Sequence, residues 1–553
     1  MHDRFAQPAP GHRDWYAFEA MRSLPHLLTL VDRNPLSPTF GCFDREYWHY
    51  RTVDFPCGMS QEMCLPLALA WAHAFPGNPY HRNERLRELA IAGIEFAKKS
   101  SHSDGSCDDY FPYEQALGAL VFSTWAMAET YRILAPDRPD LLDFLRLRGD
   151  WLREHNETGQ LANHQAYAAL ALRAVFEITG DAVYEQASKQ FQQLALSWQN
   201  EEGWFQEYEG ADPGYHTTTI TLLAKLYRKT GDESLKEPLL RAIEFAAHFM
   251  HPDGSYAGEY GSRNTYHFYS HGFELMAPYS DTAARIAQTY LQRSLPERRR
   301  YFNDDDRMCA HYVYDWMLSW LDYHPERKGL LEEHREPFTR WFPQAKLLVK
   351  KTPRYYAVVS MAKGGVIKVF DEHGPLMSDT GVMVQVDGQR VLVSHLVGRY
   401  GQAVDVERGL LSVSGNMAWR KHKVSSPAKQ IAFRSVNMTV GRLSANALRA
   451  TLQKVLITGK PWSDARFHRT IELLEDDVVV RDTIDLGGKE MEVTRVMVGS
   501  DATSIYVANS NTYQESVLLP WREYPMAAES LRAQGRATLP ERRLGEQKLS
   551  EDE

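Results

Sequence analysis

Covalent cross-links have little to work with in this chain. Its 553 residues hold five cysteines, Cys42, Cys57, Cys64, Cys107 and Cys309, an odd number with no CxxC pair. That spacing builds neither a disulfide framework nor a zinc knuckle, so reduced, buried thiols are expected. Positive charge is also short: 63 Lys and Arg stand against 72 Asp and Glu, a formal net charge of −9. The balance argues against non-specific binding to nucleic acid or an acidic membrane surface, while leaving room for a local basic cleft. No apolar run is long enough to span a bilayer, and the opening Met1-His-Asp-Arg-Phe-Ala-Gln-Pro lacks the basic-then-apolar layout of a secretory signal. A cytoplasmic location is the expectation, or a periplasmic one for a sequence trimmed of its leader.

What is present points to two domains. The chain is too long for one ordinary core. Two textures meet near residue 345. Before it, 3.6-residue periodicity predicts helices over Glu62–Ala74, Glu84–Lys99, Tyr113–Leu134, His164–Thr179, Ala182–Trp198, Thr217–Thr230, Leu239–Phe249, Thr282–Ser294 and His311–Leu321. After it, strands are predicted over Tyr355–Ser360, Gly365–Phe370, Val382–Val386, Arg390–Ser394, Arg466–Leu474, Val478–Leu486 and Glu492–Val498, with a hairpin turning at Glu475-Asp476-Asp477. Helices followed by strands mean stacked domains, not a doubly wound sheet. The expected division is a helical domain over 1–344, a β domain over 345–522 and a loose polar tail over 523–553.

The helical half repeats itself. Glycine turns recur at Asp104-Gly-Ser, Thr158-Gly-Gln, Glu202-Gly-Trp and Asp253-Gly-Ser. Tyr215-His216 and Tyr266-His267 each follow such a turn by twelve residues, counted from Gly203 and Gly254. A period of roughly 45–55 residues, one helix pair each, predicts helical hairpins in a toroid, with helix starts gathered at one rim. Asn163-His164 opens one helix there, and Tyr215-His216 opens another. A phenol, an imidazole and a carboxamide at one rim can move a proton without a metal or cofactor, and none is expected.

The order Asn163-His164, then Asp212-Pro-Gly-Tyr-His, then a β-rich half containing Asp379-Thr-Gly resembles the heparinase II/III-like polysaccharide lyases. The resemblance implies an incomplete α/α toroid followed by an antiparallel β-sandwich, and β-elimination at a uronic acid. The family carries a histidine ahead of the first β strands that is missing here; His373 and His395 are the substitutes.

The chemistry assigns roles. Elimination removes the proton beside the uronate carboxylate, so the carboxylate must be neutralised. Asn163 is expected to do this, with His164 as base in an anti elimination and Tyr215 as acid, or as acid and base in a syn one. His216 is expected to orient Tyr215 or line the site. Arg263 and Arg399 are candidates to grip the substrate carboxylate. Arg45, Tyr47 and Trp48 are candidates for a sugar-stacking wall, an expectation that the 12% aromatic content favours slightly. Tyr266, His267 and His271 are expected to line the cleft. The partner expected is an acidic polysaccharide or oligosaccharide. Two alternatives stand beside the lyase: a glycoside hydrolase drawing on the rim carboxylates Asp104, Asp108, Asp109, Glu114, Glu207, Glu209 and Asp212, and a non-catalytic protein that binds glycans or serves their biosynthesis.

Overall fold

The computed structural model describes residues 6–157, 159–297, 305–331, 335–420, 425–452, 459–488, 490–500, 510 and 520–544. All five cysteines are buried free thiols. Among the described residues no helix is long and apolar enough to cross a membrane.

The first half is helical: α1 (Asp14–Leu30), α2 (Cys64–Ala72), α3 (Glu84–Ser100), α4 (Leu117–Leu134), α5 (Pro139–Glu154), α6 (Ala162–Thr179), α7 (Ala182–Ser197), α8 (Pro213–Thr230), α9 (Lys236–Ala247), α10 (His271–Met276), α11 (Asp281–Thr289), the single turn α12 (Leu295–Glu297) and α13 (Cys309–Leu321). Their ends follow local chemistry. Asn83 caps α3, accepting from the Arg85 N–H at 3.0 Å, and Gly180 and Gly231 close α6 and α8 in the left-handed conformation. Periodicity missed α1 and α5. In α1 a proline, Pro25, lies inside the helix. In α5 the apolar stripe is interrupted by Arg148, which is buried and donates to Ser123 Oγ at 2.8 Å. A short antiparallel hairpin, β1 (Gln206–Glu207) and β2 (Gly210–Ala211), precedes α8.

The second half is two antiparallel sheets. The first runs in chain order through β3 (Phe338–Phe342), β4 (Leu347–Lys351), β5 (Tyr356–Ser360), β6 (Val366–Phe370) and β7 (Pro375–Asp379). The second orders its strands β15 (Trp521–Glu523), β14 (Val493–Gly499), β8 (Gly381–Val386), β9 (Arg390–Val393), β11 (Leu410–Trp419), β12 (Trp462–Leu473), β13 (Val478–Asp485) and β16 (Arg536–Thr538), with β10 (Gly401–Asp405) on β11 and β17 (Arg542–Arg543) on β13. The predicted hairpin is β12–β13, with Leu473 paired to Val478. Between β11 and β12 lie α14 (Pro427–Val436) and α15 (Ala445–Leu452).

Strands β5 and β6 are buried at every residue because their sheet is covered on both faces. Leu347, Val349, Tyr356 and Val358 join the helical core, while Leu348, Ala357, Val359 and Ile367 join a second core with Val384, Val413 and Ile471 of the larger sheet. Period-two alternation thus seats one sheet in two cores.

The segment from 523 corrects an expectation. It was to be loose, yet α16 (Pro525–Gln534) buries Ala527, Ala528 and Leu531, and Arg542 reaches Asp379 at 2.8 Å beside the Arg469–Asp379 pair at 2.9 Å. Its high charge content reads as solvation, but part of that charge sits inside the sheet. Residues 545–553 lie outside the described region.

Candidate active site

The stretch Asp212-Pro-Gly-Tyr is a helix start in which each residue has a task. Asp212 caps α8, its Oδ1 accepting from the Tyr215 N–H at 3.0 Å, and Pro213 takes the first helical position, where no N–H is needed. The other Asp212 oxygen accepts from the Arg263 N–H at 2.8 Å, so the cap also fastens the 261–265 loop to the helix start. Gly214 permits the close approach: a Cβ there would lie 2.3 Å from Thr265 Oγ1 and 2.9 Å from the Thr265 carbonyl. This packing sets the position of Tyr215.

Across from it, Asn163 in the first turn of α6 meets Glu207 of β1. The Asn163 amide nitrogen donates to both Glu207 oxygens at 2.7 Å, and its backbone N–H donates at 3.1 Å. A carboxylate therefore sits at the positive end of α6. Arg263 Nη1 donates to the same carboxylate at 3.1 Å, and its guanidinium carbon lies 3.7 Å from the centre of the Tyr215 ring and 5.0 Å from that of Tyr208. Burial pushes the Tyr215 phenol up, against the pull of Arg263, so it is a protonated donor at neutral pH. Burial likewise pushes the Glu207 carboxyl up, against Arg263 and Asn163.

Two imidazoles flank this group. His164 pairs through Nδ1 with Glu157 and, at 15% side-chain exposure, is the more open of the two. His267 sets its ring 4.7 Å from that of Tyr215, edge to face, with Nδ1 and the Tyr312 hydroxyl 2.9 Å apart. His216 is elsewhere. Its Nε2 donates to the Ala242 carbonyl at 2.9 Å, its ring packs near Phe205 and Phe245, and burial lowers its pKa to about 4. It is a core histidine rather than part of the cluster.

Of the remaining sequence candidates, several are committed to other contacts. Tyr266 donates to Glu259 and accepts from Lys368 Nζ at 2.6 Å, in a buried ion pair between the domains. His271 binds Asp322 at 2.9 Å, so His267 and His271 do not share a ligand position. Arg45 pairs with Asp306 at 2.7 Å, Tyr47 packs on Phe96, and Trp48 donates to the Leu30 carbonyl at 2.7 Å. His373 is in the exposed β6–β7 turn, Arg399 is exposed between the domains, and His395 is buried, its pKa lowered to about 3 by burial. Among the described residues no group of three or more His, Cys, Asp or Glu is placed to hold a metal ion.

One contributor escaped sequence reading altogether. Lys363, from the turn between β5 and β6, is buried and donates to the Gly261 carbonyl at 3.0 Å, to the Glu259 carbonyl and to Asn264 Oδ1. Burial lowers its pKa to about 7. It pins, from the β domain, the loop that carries Arg263. In sequence it is only a lysine before two glycines.

No family model matches the sequence, and no curated protein does. Solved structures do. Chondroitin AC lyase of Streptomyces coelicolor A3, in complex with chondroitin sulphate, is similar over 91% of this chain and 69% of its own, at 11% identity and a TM-score of 0.55. The fold is shared with a polysaccharide lyase. Heparinase III aligns over 80% of this chain and 64% of its own, at 9% identity and a TM-score of 0.47. Unsaturated glucuronyl hydrolase of Streptococcus agalactiae aligns over 58% of this chain and 94% of its own, at 11% identity and a TM-score of 0.39. At 11% identity the likeness to the chondroitin lyase concerns architecture: an α toroid followed by antiparallel sheets.

Proposed function

We propose that this chain is a lyase that cleaves a uronate-containing polysaccharide or oligosaccharide by β-elimination. The observation that carries the reading is the Arg263 guanidinium, stacked on Tyr215 and tied to Glu207 and Asn163. Elimination breaks a carbon–hydrogen bond beside the carboxylate, forms a double bond to the next carbon and expels the glycosidic oxygen. Charge gathers on the carboxylate as the proton leaves, and a fixed cation stabilises it. In this reading Arg263, lying against the Tyr215 ring, is the cation that takes that role. Asn163 spends its amide on Glu207, so in this reading it holds Glu207 and, through it, Arg263; the arginine takes the direct contact. Tyr215, protonated, supplies the proton to the leaving oxygen. His164, paired with Glu157, takes the carbon-bound proton on an anti path.

Hydrolysis is the second reading, favoured by one feature: Glu207 is a buried carboxyl whose pKa is raised. It needs a second carboxylate across the bond. The other rim acids are committed to loop structure. Asp104 binds Ser106 and Gln115, Asp108 binds His102 and the Tyr113 N–H, and Glu114 binds the N–H groups of Asp109 and Tyr110. Asp109 meets Cys57, Glu209 pairs with Lys460, and Asp212 caps α8.

Incubation with a panel of uronate polysaccharides separates the readings. Elimination creates a conjugated unsaturated uronate, visible by ultraviolet absorbance. New reducing ends without that absorbance would mean hydrolysis, and binding without cleavage would mean a glycan-binding protein.

A further inference from the structure

Tyr208 and Glu209 sit at the tip of the β1–β2 hairpin and face different neighbours. Tyr208 lies beside Arg263 in the cluster, whereas Glu209 reaches Lys460 of the β domain at 2.6 Å. On the Glu209 side opens a cleft of about 1760 Å³, walled by the hairpin, the 260–262 loop and strands β11 to β13. It is larger than the roughly 300–1,000 Å³ that holds a drug-sized ligand, so it has room for an oligomer.

Among the described residues six lysines and arginines line this cleft against two carboxylates, in a chain whose net charge is −9. Both carboxylates are already matched, Glu209 by Lys460 and Asp485 by Arg536 at 2.8 Å. Lys363 is spent on the 259–264 loop. Among the described lining residues Lys346, Arg399 and Arg466 remain, Arg466 standing across the β12–β13 ladder from Asp485, and His468 and Trp462, at 43% exposure, share the lining. The aromatic edge is built in. Tyr400 donates to the Leu396 carbonyl at 2.7 Å and sets its ring 6.1 Å from Trp462. Room for the pair exists because residues 398 and 415 are glycines: a Cβ at Gly398 would lie 2.7 Å from Trp462, and one at Gly415 would lie 2.5 Å from Tyr400.

We infer that this cleft is a second binding site, separate from the Tyr215 cluster, for an acidic oligosaccharide. Arg399, Arg466 and Lys346 take its carboxylates or sulfates, and Trp462 stacks on the apolar face of a sugar ring. The excess of cationic side chains inside the cleft, in a chain of net charge −9, draws an anionic ligand to this place. The choice of a glycan over other polyanions rests on the lyase reading.

The test uses the full chain carrying Tyr215→Phe, so that the probe stays intact, and a labelled hexasaccharide bearing carboxylates and sulfates. Hydrogen exchange should slow at 397–401 and 462–468 when the probe binds. Fluorescence anisotropy should show affinity falling at least about tenfold in the Arg399→Ala/Arg466→Ala variant, and less in Trp462→Ala, with melting unchanged. Unaltered affinity in the double variant, or an oligonucleotide of equal charge binding as tightly, overturns the inference. The two proposals fail separately. Without ultraviolet-absorbing product from the parent chain, Arg399- and Arg466-dependent binding still supports the cleft and removes the lyase. Product formation alongside unaltered binding in the double variant does the reverse.

Discussion

Tyr215-His216 and Tyr266-His267 are the same dipeptide at the same distance from a glycine turn, and they exchange roles. In the first pair the tyrosine enters the cluster under Arg263 while the histidine packs in the core against Ala242. In the second the histidine faces Tyr215 while the tyrosine joins the Glu259–Lys368 ion pair. The first pair lies in the opening turn of α8, where neighbouring side chains diverge by about 100°. The second lies in an irregular stretch ahead of α10. In these two dipeptides the site takes one side chain and the scaffold the other. Which one goes where depends on the backbone, not on the pair.

The sharpest way to break this comparison is Tyr215→Phe against Tyr266→Phe. Tyr215→Phe should cost about 10²–10⁴-fold in product formation by absorbance with an unchanged circular dichroism spectrum. Tyr266→Phe should leave turnover within a few-fold. Equal losses in both would end the distinction. Next in size, Lys368→Met leaves Glu259 buried and unpaired, and should destabilise the fold by about 3–5 kcal/mol in denaturant titration.

His216 supplies a pH test. Its folded pKa of about 4 lies below the usual histidine value of about 6.5, so the unfolded chain takes the proton first. Stability should therefore be lost as pH falls from about 6.5 to about 4, by about 3 kcal/mol from this residue, and then level off. His216→Gln should flatten that slope relative to the parent. On turnover, a smaller effect than that of Tyr215→Phe is expected for His267→Gln, about a tenfold drop in kcat from a loosened Tyr215; no change there would make His267 a bystander.

Much of the architecture was legible from periodicity, and the helix-start motif at Asp212 was legible because capping chemistry is local. The partners of that motif were not. Asn163 and Glu207 stand 44 positions apart in the chain, and nothing near Asn163 announces that its amide is directed at a carboxylate rather than at open space. Arg263 could be flagged as a cation but not as the residue stacked on Tyr215. Lys363 lay hidden in an ordinary strand turn, and α5 was masked because a buried arginine breaks its stripe. In each case the missing information was a long-range partner.

The sheet β3–β7 has a further implication for handling the protein. Because its two faces serve different neighbours, no cut near residue 344 yields two self-sufficient pieces. A helical fragment would bare the surface that Leu347, Val349 and Tyr356 normally shield, and a strand fragment would bare those residues themselves. Either half made alone should be sticky and poorly soluble, and the chain is best studied whole.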